Sequence, residues 1–121
     1  MITFNSRVNL NTAQLRRRAN AALQASQMQL DNDVLKDSNY YIPKDTGNLE
    51  QSSIHSSIVG SGVLYWNTPY ARKVYYGSTI NFSKDRNPNA RYLWFEAAKA
   101  SKKDGWIQEM KNKYRERFNQ G

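Results

Sequence analysis

Residues 42–53, IPKDTGNLEQSS, separate a long helical pattern from a stretch of strand-like alternation. Pro43 fixes its own φ angle, lacks an N–H donor and keeps Ile42 out of the helical region of backbone space. Gly47 can adopt the positive φ angle of a tight turn. Leu49 is the first apolar residue after that turn, so we expect it to enter the core. The stretch contains no nucleophile–base pair and no metal cluster, and by itself it predicts a helix-to-strand turn.

The residues before this turn predict a long helix. Asn11 and Gln14 suit a capped helix start, and small or apolar residues then recur at helical spacing as far as Val34. We place this helix at about residues 12–37. Its narrow, Ala-rich stripe favours close packing against another helix or a sheet over a coiled-coil seam. The first ten residues alternate in part and predict an edge strand or an ordered arm.

After the turn, alternating residues predict an antiparallel hairpin with strands at about 51–59 and 63–67, joined by Gly60-Ser61-Gly62. Residues 51–71 carry no formal charge, which fits a segment buried on one face and covered by protein on the other. The change of period predicts a single α+β domain over residues 1–121, in which a long N-terminal helix and two to three later helices pack on a small antiparallel sheet.

The later helices follow from local signals. Thr68 and Pro69 predict the cap and first residue of a short helix that ends at Gly77. A C-terminal helical region spans about residues 90–119, and Asp104-Gly105 predicts a break or a new cap within it. The last helix carries an apolar stripe, formed by Trp106, Ile107, Met110, Tyr114 and Phe118.

The charge is strongly positive and unevenly distributed. The formal net charge is +8. Residues 31–50 hold five acidic and two basic side chains, whereas residues 72–121 hold twelve basic and five acidic ones. A basic half suits a polyanion or an acidic protein face, or forms a solvated surface that keeps the protein soluble. The candidates for an interface or a DNA-facing surface are Arg16, Arg17, Arg18, Lys111, Lys113, Arg115 and Arg117.

Other classes of site have weak support. Cysteine is absent, which excludes a disulfide framework, a zinc knuckle and a thiol nucleophile. Neither a signal peptide nor a membrane span is visible, so we expect an intracellular, soluble product. His55 is the single histidine, and its serine neighbours would point to opposite faces of a strand, so we expect a surface histidine. Asp31, Asp33 and Asp37 could bind a metal, but a solvated helix surface is the better interpretation. We expect no cofactor.

Three segments resemble a known family when they are taken in order. They are IPKDTGNLEQS at residues 42–52, TPYARKVYYGS at 68–78 and NPNARYLWFEAAK at 87–99. Their order and spacing resemble the small minor capsid, head–tail connector and tail-completion proteins of long-tailed phages. In that family a P-x-D-T-G-x-L-x-x-S turn precedes a strand, and P-Y-A-x-x-x-x-x-G and P-x-A-x-x-x-W/F helices follow. The resemblance covers about residues 39–118.

The resemblance implies an α+β fold and a structural role at the phage neck, without enzymatic activity. The copies would form a sixfold or twelvefold ring around the DNA channel, in contact with head connector or stopper proteins, tail terminator or tube proteins, and passing DNA. The protein would assemble in the host cytoplasm, reside at the head–tail junction of the virion and contact no membrane. A small, basic, non-specific nucleic-acid-binding protein is the alternative. The residues expected to maintain the fold are Pro43, Asp45, Thr46, Gly47, Leu49, Pro69, Tyr70, Ala71, Gly77 and Trp94.

Overall fold

Two long antiparallel helices form the main body of the protein. The computed structural model describes residues 12–44, 47–77 and 87–120, so the predicted N-terminal arm lies outside the described residues. Within those ranges the elements are α1 (Thr12–Asn39), α2 (Asn48–Ser56), α3 (Ala71–Tyr76) and α4 (Trp94–Gln120). Helix α1 packs along α4, as its Ala-rich stripe predicts. The predicted long helix is confirmed and extends two residues further.

The predicted α+β fold is wrong, because the described residues contain no strand and therefore no antiparallel sheet. The predicted first strand of the hairpin is instead largely α2. Ile54 and Ile58 are four residues apart, a spacing that fits a helix as well as a strand. The hydroxyls of Ser52 and Ser53 donate to the carbonyl oxygens of Leu49 and Glu50, both at 2.6 Å. The helix therefore provides hydrogen-bond acceptors for the serine hydroxyls whose alternation suggested a strand.

The predicted second strand keeps its alternation without joining a sheet. Leu64 and Trp66 are half-buried, whereas Val63 and Tyr65 are exposed. The backbone N–H of Tyr65 donates to Ser57 Oγ at 2.8 Å. Serine hydroxyls at α2 thus take the place of the partner strand, and residues 57–67 form a loop that returns alongside α2.

Helix α4 is continuous where a break was predicted. Gly105 lies inside it, and a Cβ atom at this position would meet nothing within 4 Å. A helical glycine costs only about 1 kcal/mol relative to alanine, and the neighbouring Trp106 is buried. Helix α4 begins at Trp94, directly after Leu93, whose φ angle of 49° is left-handed, rather than at about residue 90 as predicted. The anchoring of Trp106 therefore outweighs the weak helix preference of glycine.

The hydrophobic core lies at the α4 N-terminal end of the molecule. Its fully buried members are Ile42, Leu49, Ala71 and Trp94, so every segment that carries the resemblance contributes at least one side chain. Two backbone bonds bring α4 to this core, from Arg91 N–H to the carbonyl of Tyr41 at 2.9 Å and from Leu93 N–H to that of Tyr75 at 3.0 Å. Half-buried side chains close around it, namely Tyr41, Trp66, Val74 and Tyr75.

Candidate interaction surfaces

Arg18 is bound within the protein. Its Nε and Nη2 atoms donate to the carbonyl oxygen of Phe118 at 3.0 and 2.8 Å, and its guanidinium carbon lies 4.6 Å from the Phe118 ring centre. The last carbonyls of a helix lack intrahelical donors and carry partial negative charge. Arg18 therefore caps α4 and joins the start of α1 to the end of α4.

This contact brings the other candidate cations together at one end of the molecule, which we call the basic end. Arg16 and Arg17 are exposed on α1. Lys111 and Arg115 are exposed on α4 and flank a shallow groove whose floor includes Leu23 and Tyr114. The two remaining candidates, Lys113 and Arg117, are half-buried. Lys113 Nζ lies 3.8 Å from Glu116 Oε1.

The turn motif is a structural element of the core. Gly47 has a φ angle of 77° and precedes α2, which is the left-handed conformation that the turn prediction requires. Pro43 and Leu49 are buried. Lys44 Nζ lies 3.4 Å from a Glu50 carboxylate oxygen across the turn. Asp45 and Thr46 lie outside the described residues.

The other motif residues lie in or beside α3, and Ala71 belongs to the same core cluster as Trp94. Tyr70 is the N-cap of α3, Ala71 is buried beside it, and Gly77 follows the last residue of α3. Pro69 is exposed. The predicted side-chain cap at Thr68 is wrong, because α3 has no side-chain cap and the Thr68 hydroxyl is buried without a partner.

Trp94 itself is fully buried among aromatic rings. Its ring centre lies 4.7 Å from that of Tyr75 and 5.9 Å from that of Trp66, both edge-to-face. Burial raises the pKa of Tyr75 above its ordinary value, and the negative charge of Glu96 adds to this effect. The Trp66 indole N–H donates to Asn39 Oδ1 at 3.0 Å, which fixes residues 57–67 to the end of α1.

Asp31 holds the 57–67 loop against α1 and was missed at the sequence level. Its Oδ2 accepts the backbone N–H groups of Gly60 at 2.8 Å and Gly62 at 3.0 Å, and its Oδ1 accepts Gln27 Nε2 at 2.9 Å. A Cβ atom at Gly60 would lie 2.9 Å from Met28 Cγ, so only glycine allows this approach. The paired glycines of the loop were the available signal.

The three acids that were considered as a metal site, and interpreted instead as a solvated helix surface, do not converge. Asp31 binds the loop, Asp33 accepts Gln29 Nε2 at 3.1 Å on its own helix, and Asp37 accepts Trp106 Nε1 at 2.6 Å. Within the described ranges no group of three His, Cys, Asp or Glu side chains is placed to bind a metal ion. His55 is exposed on α2.

A family model described as "Minor capsid protein" matches residues 5–113. The chain belongs to the minor capsid protein family. No curated protein and no solved structure matches it. This minor capsid protein is therefore a structural component of a bacteriophage particle.

The family match ends inside α4. It covers α1, α2 and α3 together with the whole core, and it stops before Arg115 and Arg117. The buried motif residues of the minor capsid protein thus fall within the match, whereas part of the basic end lies beyond it. In the described part of the chain, no helix combines the length and apolar character needed to cross a bilayer.

Proposed function

We propose that this minor capsid protein is a subunit of the phage head–tail junction. Its copies would form a sixfold or twelvefold ring around the DNA channel, between the head connector or stopper and the tail terminator or tube. The protein would join this ring from the host cytoplasm during assembly and act without catalysis. Repeated head-to-tail contacts that close on themselves generate rings of this kind.

The observation that carries the proposal is the difference between the two ends of the molecule. The basic end presents Arg16 and Arg17 from α1 beside Lys111 and Arg115 from α4. Phosphate groups attract such cations without regard to base sequence, as a channel for any packaged genome requires. A ring in which the basic ends face the channel would place the other end against protein.

The opposite end includes an uncharged stretch that is rich in exposed apolar side chains. Residues 51–71 hold no formal charge, and Ile58 is 73% exposed. Exposed apolar patches on a small protein mark surfaces that bind other proteins. Ile54, Val63 and Tyr65 are also exposed around the same loop, so this end suits contacts with neighbouring copies or with head and tail proteins.

Electron microscopy of labelled particles tests the location. A tag after residue 121 would extend from the basic end, and a gold label on it should appear at the head–tail junction of purified phage. Particles that form without the protein should contain filled heads that lack tails. Label distributed over the head shell, or tailed particles in the absence of the protein, would contradict the proposal.

Non-specific nucleic-acid binding is the second candidate function, and the exposed cations of the basic end favour it. However, the Tyr114 and Phe118 rings stack on each other with centres 6.0 Å apart, and Arg18 covers Phe118. Those rings are therefore engaged in the fold rather than exposed for base stacking. Purified phage particles that carry no gold label, together with steeply salt-dependent DNA binding by the purified protein, would favour this second function.

A further inference from the structure

A groove of ≈ 370 Å³ lies between the two long helices, next to the basic end. It is formed by Leu23 and Ser26 of α1 and by Met110 and Tyr114 of α4. Leu23 is 57% exposed. Ser26 is buried, and its hydroxyl donates to the carbonyl oxygen of Leu23 at 2.8 Å. The groove therefore presents apolar surface to solvent, and its serine is already bonded within α1.

Two cations flank this apolar surface. Lys111 and Arg115 are exposed on α4, and their spacing of four residues places them one above the other on the helix. Within residues 12–44, 47–77 and 87–120 neither side chain makes an ion pair, and no acidic residue lines the groove. Lys113, between them in sequence, is instead paired with Glu116. The positive charge at the groove is thus uncompensated by the described part of the chain.

Phosphate matches only part of this surface. A DNA backbone neutralises Lys111 and Arg115 but leaves Leu23 in water, whereas a protein segment with both apolar and acidic side chains covers all three. We infer that the groove binds an acidic amphipathic helix of a different protein of the phage particle. Its apolar side chains would contact Leu23 and Met110, and its carboxylates would lie beside Lys111 and Arg115.

The shape of the groove favours a helical partner. The groove between two packed helices accepts the side-chain ridge of a third helix, as in helix bundles. Amphipathic helices bind such grooves through apolar residues three and four positions apart. Because Lys111 and Arg115 are one turn apart, two acidic residues four positions apart on the partner would match them. The expected partner segment therefore combines apolar residues at helical spacing with a pair of Asp or Glu residues on one flank.

A second copy of this chain is a poorer occupant. Each copy carries a net charge of +8, so two copies repel one another. The acidic residues of the chain are concentrated in residues 31–50. There Asp31 already accepts the Gly60 amide, and Asp37 accepts the Trp106 indole. Charge complementarity thus points to a different, acidic protein.

The basic end then has two partners. Arg16 and Arg17 do not line the groove and remain available to phosphate, whereas Lys111 and Arg115 contact protein. That the partner is a head or tail protein rests on the proposed function, but its acidic, helical chemistry rests on the groove alone. A gold label over the head shell, combined with an acidic helix in the groove, would reject the junction and retain this inference.

Photo-cross-linking in purified phage particles identifies the occupant. Leu23 is replaced by p-benzoylphenylalanine, and irradiation should join it to one other particle protein. Mass spectrometry should place the cross-link in a segment with the expected apolar and acidic pattern. The matched control is Glu109→p-benzoylphenylalanine. Glu109 is also exposed, but it lies two residues before Lys111, about 200° around α4, and should not give this cross-link.

A pair of charge variants tests the carboxylate contacts. Lys111→Ala with Arg115→Ala should lower the yield of the Leu23 cross-link about tenfold, which is the effect of losing two partly exposed ion pairs. The matched control is Lys99→Ala with Lys103→Ala. It removes the same charge from exposed residues four positions apart on α4 but outside the groove, and it should leave the yield unchanged.

Several outcomes would overturn the inference. A cross-link from Leu23 to DNA would make the groove a phosphate-binding surface, and one to a second copy would make it a contact between copies. A cross-linked segment without acidic residues, or no cross-link in particles that contain the variant, would also reject an acidic helix. Equal loss of yield in both charge variants would show that only the net charge matters.

A measurement on the purified protein applies even if particles do not incorporate the Leu23 variant. The probe is a fluorescent synthetic helix with leucines at helical spacing and glutamates on one flank. In fluorescence anisotropy, Leu23→Ser should weaken its binding about fivefold, because the substitution removes one apolar contact without changing the charge. Equal affinities of Leu23→Ser and the parent protein would show that the probe binds through charge alone and would contradict docking in the groove.

Discussion

The indole Nε1 of Trp106 donates a 2.6 Å hydrogen bond to Oδ2 of Asp37 and thereby joins the two long helices. Trp106 is 6% exposed and stacks on Phe95 with ring centres 6.2 Å apart. Asp37, which the sequence assigned to a solvated helix surface, thus holds Trp106 in place directly after Gly105. The bond explains why α4 continues through Gly105.

Trp106→Phe should lower the free energy of unfolding by about 2 kcal/mol, because it removes a donor to a charged acceptor and leaves a half-buried carboxylate without it. Asp37→Asn retains an oxygen acceptor and should cost less. Urea denaturation of both single variants and of the double variant forms a thermodynamic cycle. If the two losses simply add, the residues are not coupled and this assignment is wrong.

Asp31→Ala should release the 57–67 loop. It removes the shared acceptor of the Gly60 and Gly62 amides, at a cost of about 1–3 kcal/mol for the unsatisfied groups. The expected result is faster hydrogen exchange at these two amides, measured by NMR. Asp33→Ala is the matched control, because Asp33 accepts a bond from Gln29 on its own helix, and it should leave both exchange rates unchanged. Similar rates in Asp31→Ala and the parent protein would refute the role of Asp31.

The same Gly→Ala substitution should act in opposite directions at two positions. At Gly47 the φ angle of 77° penalises a Cβ atom, so the free energy of unfolding should fall by about 1–2 kcal/mol. At Gly105 the helix has space for the Cβ atom, and alanine should add up to about 1 kcal/mol. Thermal melts of the two variants provide the comparison. A stabilised Gly47→Ala variant would contradict the turn geometry.

The features that sequence analysis predicted correctly depend on local chemistry. The length of α1 follows from its apolar spacing, and the turn at Gly47 follows from adjacent proline and glycine residues. The strand interpretation of residues 51–59 failed because Ile54 and Ile58 fit both periods and the serine hydroxyls can bond within a helix. Asp31, Asp37 and Arg18 resemble solvated surface residues, since their partners lie 29, 69 and 100 positions away. No local pattern reveals such pairings.

The predicted basic surface should divide into structural and functional cations. Arg18→Ala should lower the free energy of unfolding by about 1–2 kcal/mol, because it removes two bonds to the last turn of α4 and the contact with the Phe118 ring. Arg16→Ala with Arg17→Ala should change stability by less than about 0.5 kcal/mol, since both side chains are exposed. Urea denaturation measures the difference.

The effects of these substitutions on DNA binding should have the opposite order to their effects on stability. If Arg16 and Arg17 each contact a phosphate, the Arg16→Ala, Arg17→Ala variant should reduce the slope of log affinity against log salt by about 1.8. Arg18→Ala should leave the slope nearly unchanged, because its guanidinium already binds Phe118. Fluorescence anisotropy with a duplex of arbitrary sequence, across a salt series, measures both. A larger effect from Arg18→Ala, with the fold intact, would show that the α4 cap is dispensable and that Arg18 faces the DNA.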